Sequence, residues 1–202
     1  MTVRAYHVIF GAYGFWLPND PRGSWSDFVR SWELFRADGP ATKVNTHCSL
    51  AGQPHDVQAR LRVKEALQYA AVVFNGHQAL SVANGFAQMA AKAQYQVYAC
   101  AILPEHVHLV LGRYRYAVET MVRLLKAEAT RQLIKDGRHP LARSQLPDGS
   151  VPSPWERKRW KVFLDDDEGI VAAIAYVEQN PIKEGKRPQH WQFVVPFTPT
   201  MV

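Results

Sequence analysis

The chain has 202 residues, 47% of them hydrophobic, with a formal net charge of +6 and a pI near 9.4. This length predicts one well-buried core and a single domain over residues 1–202. No run of about 18 apolar residues occurs, which excludes a membrane span, and the N-terminus lacks the layout of a secretory signal. The two cysteines, Cys48 and Cys100, are too few for a disulfide framework. A cytoplasmic protein is therefore expected, with Cys100 as a buried small hydrophobe.

The first part of the chain predicts a strand followed by an irregular insertion. Residues 3–12 are rich in Val, Ile, Phe and Tyr, which is typical of a strand. Scattered glycines and prolines then predict an insertion at about 13–55 with little regular structure. Its tryptophans, Trp16, Trp25 and Trp32, are expected to pack it down.

Apolar residues at helical spacing follow the insertion. They predict a helix over 56–74, with Asn75 and Gly76 as its stop signal. A second, shorter helix is predicted over 78–93, although Gly85 disfavours a helix there.

The second half of the chain predicts a hairpin, two helices and one further strand. In order, the elements are a strand over 95–102, a turn and strand over 103–111, a helix over 116–135, a loop over 138–154, a short strand over 161–164 and a helix over 165–180 that Pro181 ends. The acid run at 165–168 could be mistaken for a metal site. Acids at a helix N-terminus cap free amides and complement the helix dipole, so we interpret this run as structural.

Two histidines flank a valine in the segment LPEHVHLVL at 103–111. Because side chains alternate along a strand, His106 and His108 point to one face and Val107 points to the other. Two imidazoles side by side form half of a metal site, although such a pair taken alone is more often structural. Its meaning depends on a third ligand, a nucleophile and a substrate surface elsewhere in the chain.

The positive charge is concentrated near this strand. Residues 113–143 carry eight basic residues against three acids, and WERKRWK at 155–161 interleaves cations with indoles. Cations neutralise phosphates and aromatic faces stack on unpaired bases, so these segments favour a nucleic-acid partner, with an ordinary solvated surface as the alternative. The candidate DNA-binding residues are Arg113, Arg115, Arg123, Lys126, Arg131, Arg157, Lys158, Arg159 and Lys161.

The last predicted helix carries Tyr176 and Asn180, four residues apart and so on one face. An amide oxygen is a reasonable ligand for a divalent cation. If this helix lies across the sheet face that bears His106 and His108, Asn180 completes a site of two nitrogens and one oxygen beside Tyr176. A lone tyrosine in an apolar helix is more often a core residue, so the joint pattern carries the interpretation.

These residues resemble a known family. The segment LPEHVH at 103–108, with YVEQNP at 176–181 and Gly185 downstream, is similar to the single-tyrosine HUH transposases of insertion sequences. The closest branch is the REP-associated tyrosine transposases, which the approach at 160–170 and the segment YGFWLPNDPRGS at 13–24 also resemble. The resemblance covers most of residues 1–190.

The resemblance implies an α+β fold, a ferredoxin-like antiparallel sheet with helices on one face, here as a single HUH-type domain with the insertion. The implied activity is metal-dependent cleavage and rejoining of single-stranded DNA through a 5′-phosphotyrosine. By position, Tyr176 corresponds to the nucleophile, His106 and His108 to metal-binding histidines, and Asn180 to a further ligand. Mg²⁺ or Mn²⁺ is the expected cofactor, and the sequence identifies no general base.

The sequence leaves alternatives open. One is a non-catalytic, domesticated nucleic-acid-binding protein derived from such an enzyme. Another is a metal hydrolase of small phosphoesters, which would leave the basic segments without a purpose. The resemblance implies single-stranded DNA, with a hairpin, as the partner, and allows either a monomer or a homodimer that exchanges the tyrosine helix. Histidines without a partner at interpretable spacing are interpreted as structural or surface residues: His7, His47, His55, His77, His139 and His190.

Overall fold

The structure is a computed structural model that describes residues 2–45 and 54–199. Its elements are β1 (Ala5–Gly11), α1 (Trp32–Asp38), α2 (Val57–Glu65), α3 (Gly76–Ala93), β2 (Val97–Ile102), β3 (His106–Gly112), α4 (Val118–Lys135), β4 (Trp160–Leu164) and α5 (Asp167–Lys183). The chain divides into two units, residues 1–12 with 73–202 and residues 13–72, each described by itself. The single-domain prediction stays a prediction. His47 and Cys48 lie outside the described residues.

The strands of the first unit form one antiparallel sheet in the order β2-β3-β1-β4. Helix α3 lies between β1 and β2 along the chain, and α4 lies between β3 and β4. This order is that of a ferredoxin-like fold, and it confirms the predicted α+β class and the predicted hairpin of β2 and β3. Cys100 of β2 is buried, as predicted. Across residues 2–45 and 54–199, every helix is too short or too polar to cross a membrane.

Helices α3 and α4 pack against each other and cover one face of the sheet. Val8 and Phe10 are almost fully buried there, and the Phe10 ring meets Phe86 of α3 edge-on, with centroids 6.3 Å apart. Gly85 lies where the two helices are closest, since a Cβ at this position would be 2.5 Å from the Cα of Ala129. Gly85 disfavours a helix in the sequence, yet its lack of a side chain is what allows α3 and α4 to approach each other.

Helix α5 covers the opposite face, so the predicted placement on one face holds for α3 and α4 only. This face is also apolar and must be buried. Its core cluster consists of Ala5, Ala99, Ala101, Val110, Leu164, Ile170, Ala173 and Val177. The helix begins as interpreted, because the Asp166 carboxylate caps it by accepting a hydrogen bond from the Gly169 amide at 2.6 Å.

The predicted helix end at Asn75 is wrong, because this residue caps the start of α3. Its side chain accepts a hydrogen bond from the Gln78 amide at 2.9 Å, while the Gln78 side chain accepts from the Asn75 amide at 3.0 Å. This reciprocal capping box satisfies amides at the start of a helix. The preceding helix already ends at Glu65.

The predicted helix end at Pro181 is also wrong, because α5 continues to Lys183. The proline removes its own N–H and its ring crowds the carbonyl four residues earlier, but the last turn is held by the amides that follow it. The Glu184 amide donates to the carbonyl of Asn180 at 3.2 Å, and the Lys186 amide donates to that of Pro181 at 2.8 Å. The extra turn brings Glu184 onto the helix face of Asn180.

The edge strand β2 is covered by the chain that follows α5. The Gln189 side chain accepts a hydrogen bond from the Ile102 amide and donates to the Ile102 carbonyl, both at 2.8 Å. Further along, the Val195 amide donates to the carbonyl of Val97 at 2.8 Å. An open sheet edge invites pairing with another chain, and these contacts close this one.

The second unit, residues 13–72, contains α1 and α2 around a small aliphatic core. Leu17, Leu34 and Val63 are buried together. Trp25 and Trp32 are 38% and 64% exposed. The core of this unit is therefore aliphatic, and the expectation that tryptophans pack the segment down holds only in part, since the Trp25 ring stacks on Trp16 with centroids 6.2 Å apart.

Candidate active site

The register of the central strands places the histidine pair on the α5 face of the sheet. His108 pairs with Ile9 of β1 and with Ala101 of β2, whereas Val107 between the histidines points into the opposite core. The rings of His106 and His108 lie 5.0 Å apart between centroids, and His108 is only 3% exposed. The alternation expected from the sequence is confirmed.

Tyr176 on α5 lies directly beside this pair. Its ring meets the His108 ring edge-on, with centroids 5.7 Å apart. The tyrosine is 42% exposed, so its phenol remains accessible to a large substrate. The structure therefore brings the candidate nucleophile and the histidines together within one chain.

Asn180 lies one turn further along α5 and is buried. Its side-chain nitrogen donates a hydrogen bond to the backbone carbonyl of Tyr176 at 2.9 Å. The nitrogen of the Asn180 side chain therefore faces the helix backbone, and the side-chain oxygen takes no part in this bond. The amide oxygen is the atom that a cation would use, so the bond is compatible with the predicted ligand role.

His7 on β1, which sequence spacing left without a partner and which was interpreted as a structural or surface residue, contacts the same site. Its Nε2 lies 3.3 Å from Nδ1 of His108, and the two rings stack with centroids 5.5 Å apart. Its ring also meets the Tyr176 ring edge-on at 5.5 Å. Sequence spacing missed this residue because its partners lie on another strand and on a distant helix.

Two charged side chains after Asn180 also face the site. The Lys183 ammonium lies 4.7 Å from the centroid of the Tyr176 ring. A Glu184 carboxylate oxygen lies 3.6 Å from Nε2 of His106. Burial raises the pKa of the Glu184 carboxyl. Neither residue follows from the sequence, because both depend on α5 continuing past Pro181.

Burial keeps the inner histidines neutral. It lowers the pKa of His108 to about 2, with smaller contributions from the charges of His106 and His7. Burial likewise lowers the pKa of His7 to about 4. Both imidazoles are therefore uncharged near pH 7, which is the form that binds metals.

The donor set fits a divalent cation in part. Two adjacent imidazoles with a Glu184 carboxylate oxygen close to His106 are suitable ligands for a transition metal such as Mn²⁺. Among residues 2–45 and 54–199, no group of three or more His, Cys, Asp or Glu side chains converges closely enough to hold a metal. The role of Asn180 as a further ligand stays a prediction.

Most of the candidate DNA-binding side chains are exposed: Arg113, Arg115, Arg123, Arg131, Arg157, Lys158 and Arg159. Lys126 and Lys161 are partly buried. The Lys126 ammonium donates to the backbone carbonyl of Glu156 at 2.8 Å, and Lys161 forms an ion pair with Glu119. Arg131 pairs with Glu128 on its own helix. These side chains differ in how readily they could reach a phosphate.

One part of this basic surface forms a cavity of about 340 Å³. The cavity is lined by Glu119, Arg157, Lys158, Arg159 and Lys161. The segment that contributes the arginines enters the sheet at the end of β1 where the Glu156 amide donates to the carbonyl of Gly11 at 3.0 Å. Gly11 pairs with His106 across β1 and β3. Lys161 pairs with Val8 in the sheet and with Glu119 of α4, so the cavity lies on the face covered by α3 and α4, opposite the face that carries the histidines.

The chain is similar to a protein of Haemophilus influenzae whose name assigns it to the REP-associated tyrosine transposases. The two are 29% identical over 96 residues, which are 45% of this chain and 52% of the relative. The chain thus spans about half the length of this relative. The match confirms the resemblance seen in the motifs. No family model matches the chain.

Two solved structures are also similar. One is a REP-associated tyrosine transposase bound to a REP hairpin, with 11% identity and a TM-score of 0.47 over 92% of this chain and 70% of that one. The other is a Deinococcus radiodurans protein described as a transposase, with 13% identity and a TM-score of 0.45 over 89% of this chain and 92% of that one. The resemblance rests on the sequence match and the motifs, not on these distant likenesses.

Proposed function

We propose, from the resemblance to the REP-associated tyrosine transposases, that this chain cleaves and rejoins single-stranded DNA with Tyr176 as its nucleophile. One observation carries the proposal: the Tyr176 ring lies 5.7 Å from the His108 ring and is 42% exposed. A buried core tyrosine would offer no accessible phenol. An exposed surface tyrosine would have no reason to lie against a histidine pair.

The tyrosine oxygen attacks the phosphorus of a DNA phosphodiester. The bond from phosphorus to the 3′ oxygen breaks, the phenol proton passes to solvent, and the departing 3′ oxygen takes up a proton to become a 3′-hydroxyl. The remaining strand is held as a 5′-phosphotyrosine, which conserves the energy of the original bond. Attack by a second 3′-hydroxyl reverses the step and rejoins the DNA without ATP.

His106, His108 and Asn180 are the residues that would hold the divalent cation, Mg²⁺ or Mn²⁺. When bound, such an ion neutralises a non-bridging phosphate oxygen and so assists attack by an anionic nucleophile. Lys183, whose ammonium lies beside the Tyr176 ring, is placed to contact the same phosphate. The basic side chains that line the cavity at residues 157–161 are candidates for contacts to the DNA backbone away from the cleaved bond.

The proposed substrate is single-stranded DNA next to a hairpin, as the resemblance implies. Hairpin-bearing oligonucleotides labelled at either the 3′ or the 5′ end test this chemistry in the presence of Mn²⁺. A 5′-phosphotyrosine predicts that the covalent adduct retains the 3′ label and that the 5′-labelled fragment is released. Binding of the same oligonucleotides without any adduct would instead favour the non-catalytic nucleic-acid-binding protein.

A further inference from the structure

His7 is the side chain that contacts both halves of the candidate site. Its Nε2 lies 3.3 Å from Nδ1 of His108, and its ring meets the Tyr176 ring with centroids 5.5 Å apart. It stands on β1, which pairs with β3 on one side and β4 on the other. Its backbone is therefore fixed by two ladders of hydrogen bonds.

The contact between the two histidines has only two possible forms. It joins two ring nitrogens, and one of them must carry the shared proton. If the proton is on Nε2 of His7, a neutral His108 carries its own proton on Nε2 and has no lone pair to offer. If the proton is on Nδ1 of His108, its Nε2 is free to bind a ligand, and His7 carries its proton on Nδ1.

We propose that His7 is a positioning residue that accepts a hydrogen bond from Nδ1–H of His108 and so presents the His108 Nε2 lone pair to the site. Its ring also supports the Tyr176 ring. The inference rests on the proposed function, because that function gives His108 a ligand role. It adds the residue that sets the tautomer and orientation of this ligand.

Packing alone does not require a histidine at this position. Ile9 lies two residues further along β1 on the same sheet face and pairs directly with His108, so an aliphatic side chain fits beside that histidine. A polar ring at position 7 instead places a nitrogen against a nitrogen of His108. Metal-binding histidines characteristically use their second ring nitrogen in this way, and removal of such a partner costs about 10- to 100-fold in metal affinity.

The tautomers can be read directly in the metal-free protein. Long-range proton–nitrogen NMR correlation of ¹⁵N-labelled protein distinguishes protonated from unprotonated ring nitrogens, and His7→Gln and His108→Gln spectra assign the signals. The proposal expects a protonated Nδ1 and an unprotonated Nε2 on His108, and an unprotonated Nε2 on His7. A His108 ring protonated on Nε2 would overturn it.

The affinity for metal gives a second measurement. If His7 had a purely structural role, its replacement would not change this affinity. In Mn²⁺ titrations followed by electron paramagnetic resonance, His7→Leu should bind about 10- to 100-fold more weakly than the unmodified chain. His7→Gln keeps an acceptor and should stay within about threefold. His139→Leu makes the same change at a buried histidine outside the site, and it should leave affinity unchanged.

The outcomes separate the inference from the proposed function. Equal affinity in His7→Leu and the unmodified chain would overturn the positioning role. Failure of the unmodified chain to bind Mn²⁺ would contradict the metal-dependent function, while the His108 tautomer would still decide the inference. Circular dichroism melting checks the fold of each variant, and if His7→Leu does not fold, the tautomer measurement and His7→Gln carry the test.

Discussion

The Tyr176 ring meets the His108 ring edge-on, 5.7 Å between centroids, although one stands on the last helix and the other on a central strand of the sheet. Both residues belong to the same chain. The candidate nucleophile and the histidine pair thus lie together within one chain, and we propose that the site is made without exchange of a helix between two copies. This arrangement supports a site made in cis and yields the first prediction.

Mixing two inactive variants should not restore activity. His106→Ala lacks a proposed metal ligand and Tyr176→Phe lacks the proposed nucleophile, and a site made within one chain leaves every copy in the mixture defective. A helix-exchanged homodimer would instead form some intact sites from the two variants. Covalent adduct formation after co-refolding is the measurement, and adduct at about a quarter of the normal level, the share of intact sites in a randomly mixed dimer, would contradict the cis site.

Gly85→Ala should destabilise the protein by about 1–3 kcal/mol, because overpacking forces backbone shifts. The added Cβ would lie 2.5 Å from the Cα of Ala129, and backbone cannot move aside cheaply. Gly76→Ala is the matched control, since a Cβ there meets nothing within 4 Å. Urea denaturation should show a loss of stability for the first variant only. Equal stabilities would count against the close packing of α3 and α4.

Lys126 gives a pH-dependent prediction. Burial lowers its pKa to about 8, from an unfolded value near 10.5. Between these values the unfolded chain binds more protons than the folded one, so this residue makes folding more favourable as the pH rises from 8 to 10.5. Relative to Lys126→Met, the unmodified chain should gain stability between pH 8 and pH 10 in urea denaturation. A difference that does not change with pH would contradict the lowered pKa.

Arg157→Ala and Arg159→Ala should weaken binding of single-stranded DNA and reduce its salt dependence. Removing one cation that binds a phosphate lowers the slope of log affinity against log salt by about 0.7 for single strands. Lys92→Ala removes an equal charge from an exposed position on helix α3 and should leave the slope unchanged. Fluorescence anisotropy over a salt series measures both quantities. A similar change in all three variants would indicate a diffuse electrostatic effect instead of direct phosphate binding at the cavity.

Local pattern was sufficient for much of the sheet and for the histidine pair. Alternation along 103–111 gave the faces of His106, Val107 and His108, because side chains in a strand have a strict period of two. The spacing of Tyr176 and Asn180 gave a shared helix face, because residues four apart lie one turn away. These rules need no knowledge of the rest of the fold.

The remaining parts of the site depend on long-range arrangement. His7 carries no local signal beyond being a polar residue in an apolar strand, and its partners become visible only once the register of β1 against β3 is known. Glu184 joins the site because α5 continues past Pro181, which local rules place outside the helix. Asn75 was ambiguous because an asparagine before a glycine can end one helix or cap the next.

The most direct test of the central claim maps the covalent adduct. A 3′-labelled, hairpin-bearing single strand is incubated with Mn²⁺ and the unmodified chain, Tyr176→Phe or Tyr116→Phe, and the adducts are resolved on a denaturing gel. Tyr116 is a matched control because it is also 42% exposed. The account predicts adduct with the unmodified chain and Tyr116→Phe, none with Tyr176→Phe despite DNA binding, and a nucleotide on the Tyr176 peptide by mass spectrometry. An adduct that persists in Tyr176→Phe, or that maps to another residue, would contradict it.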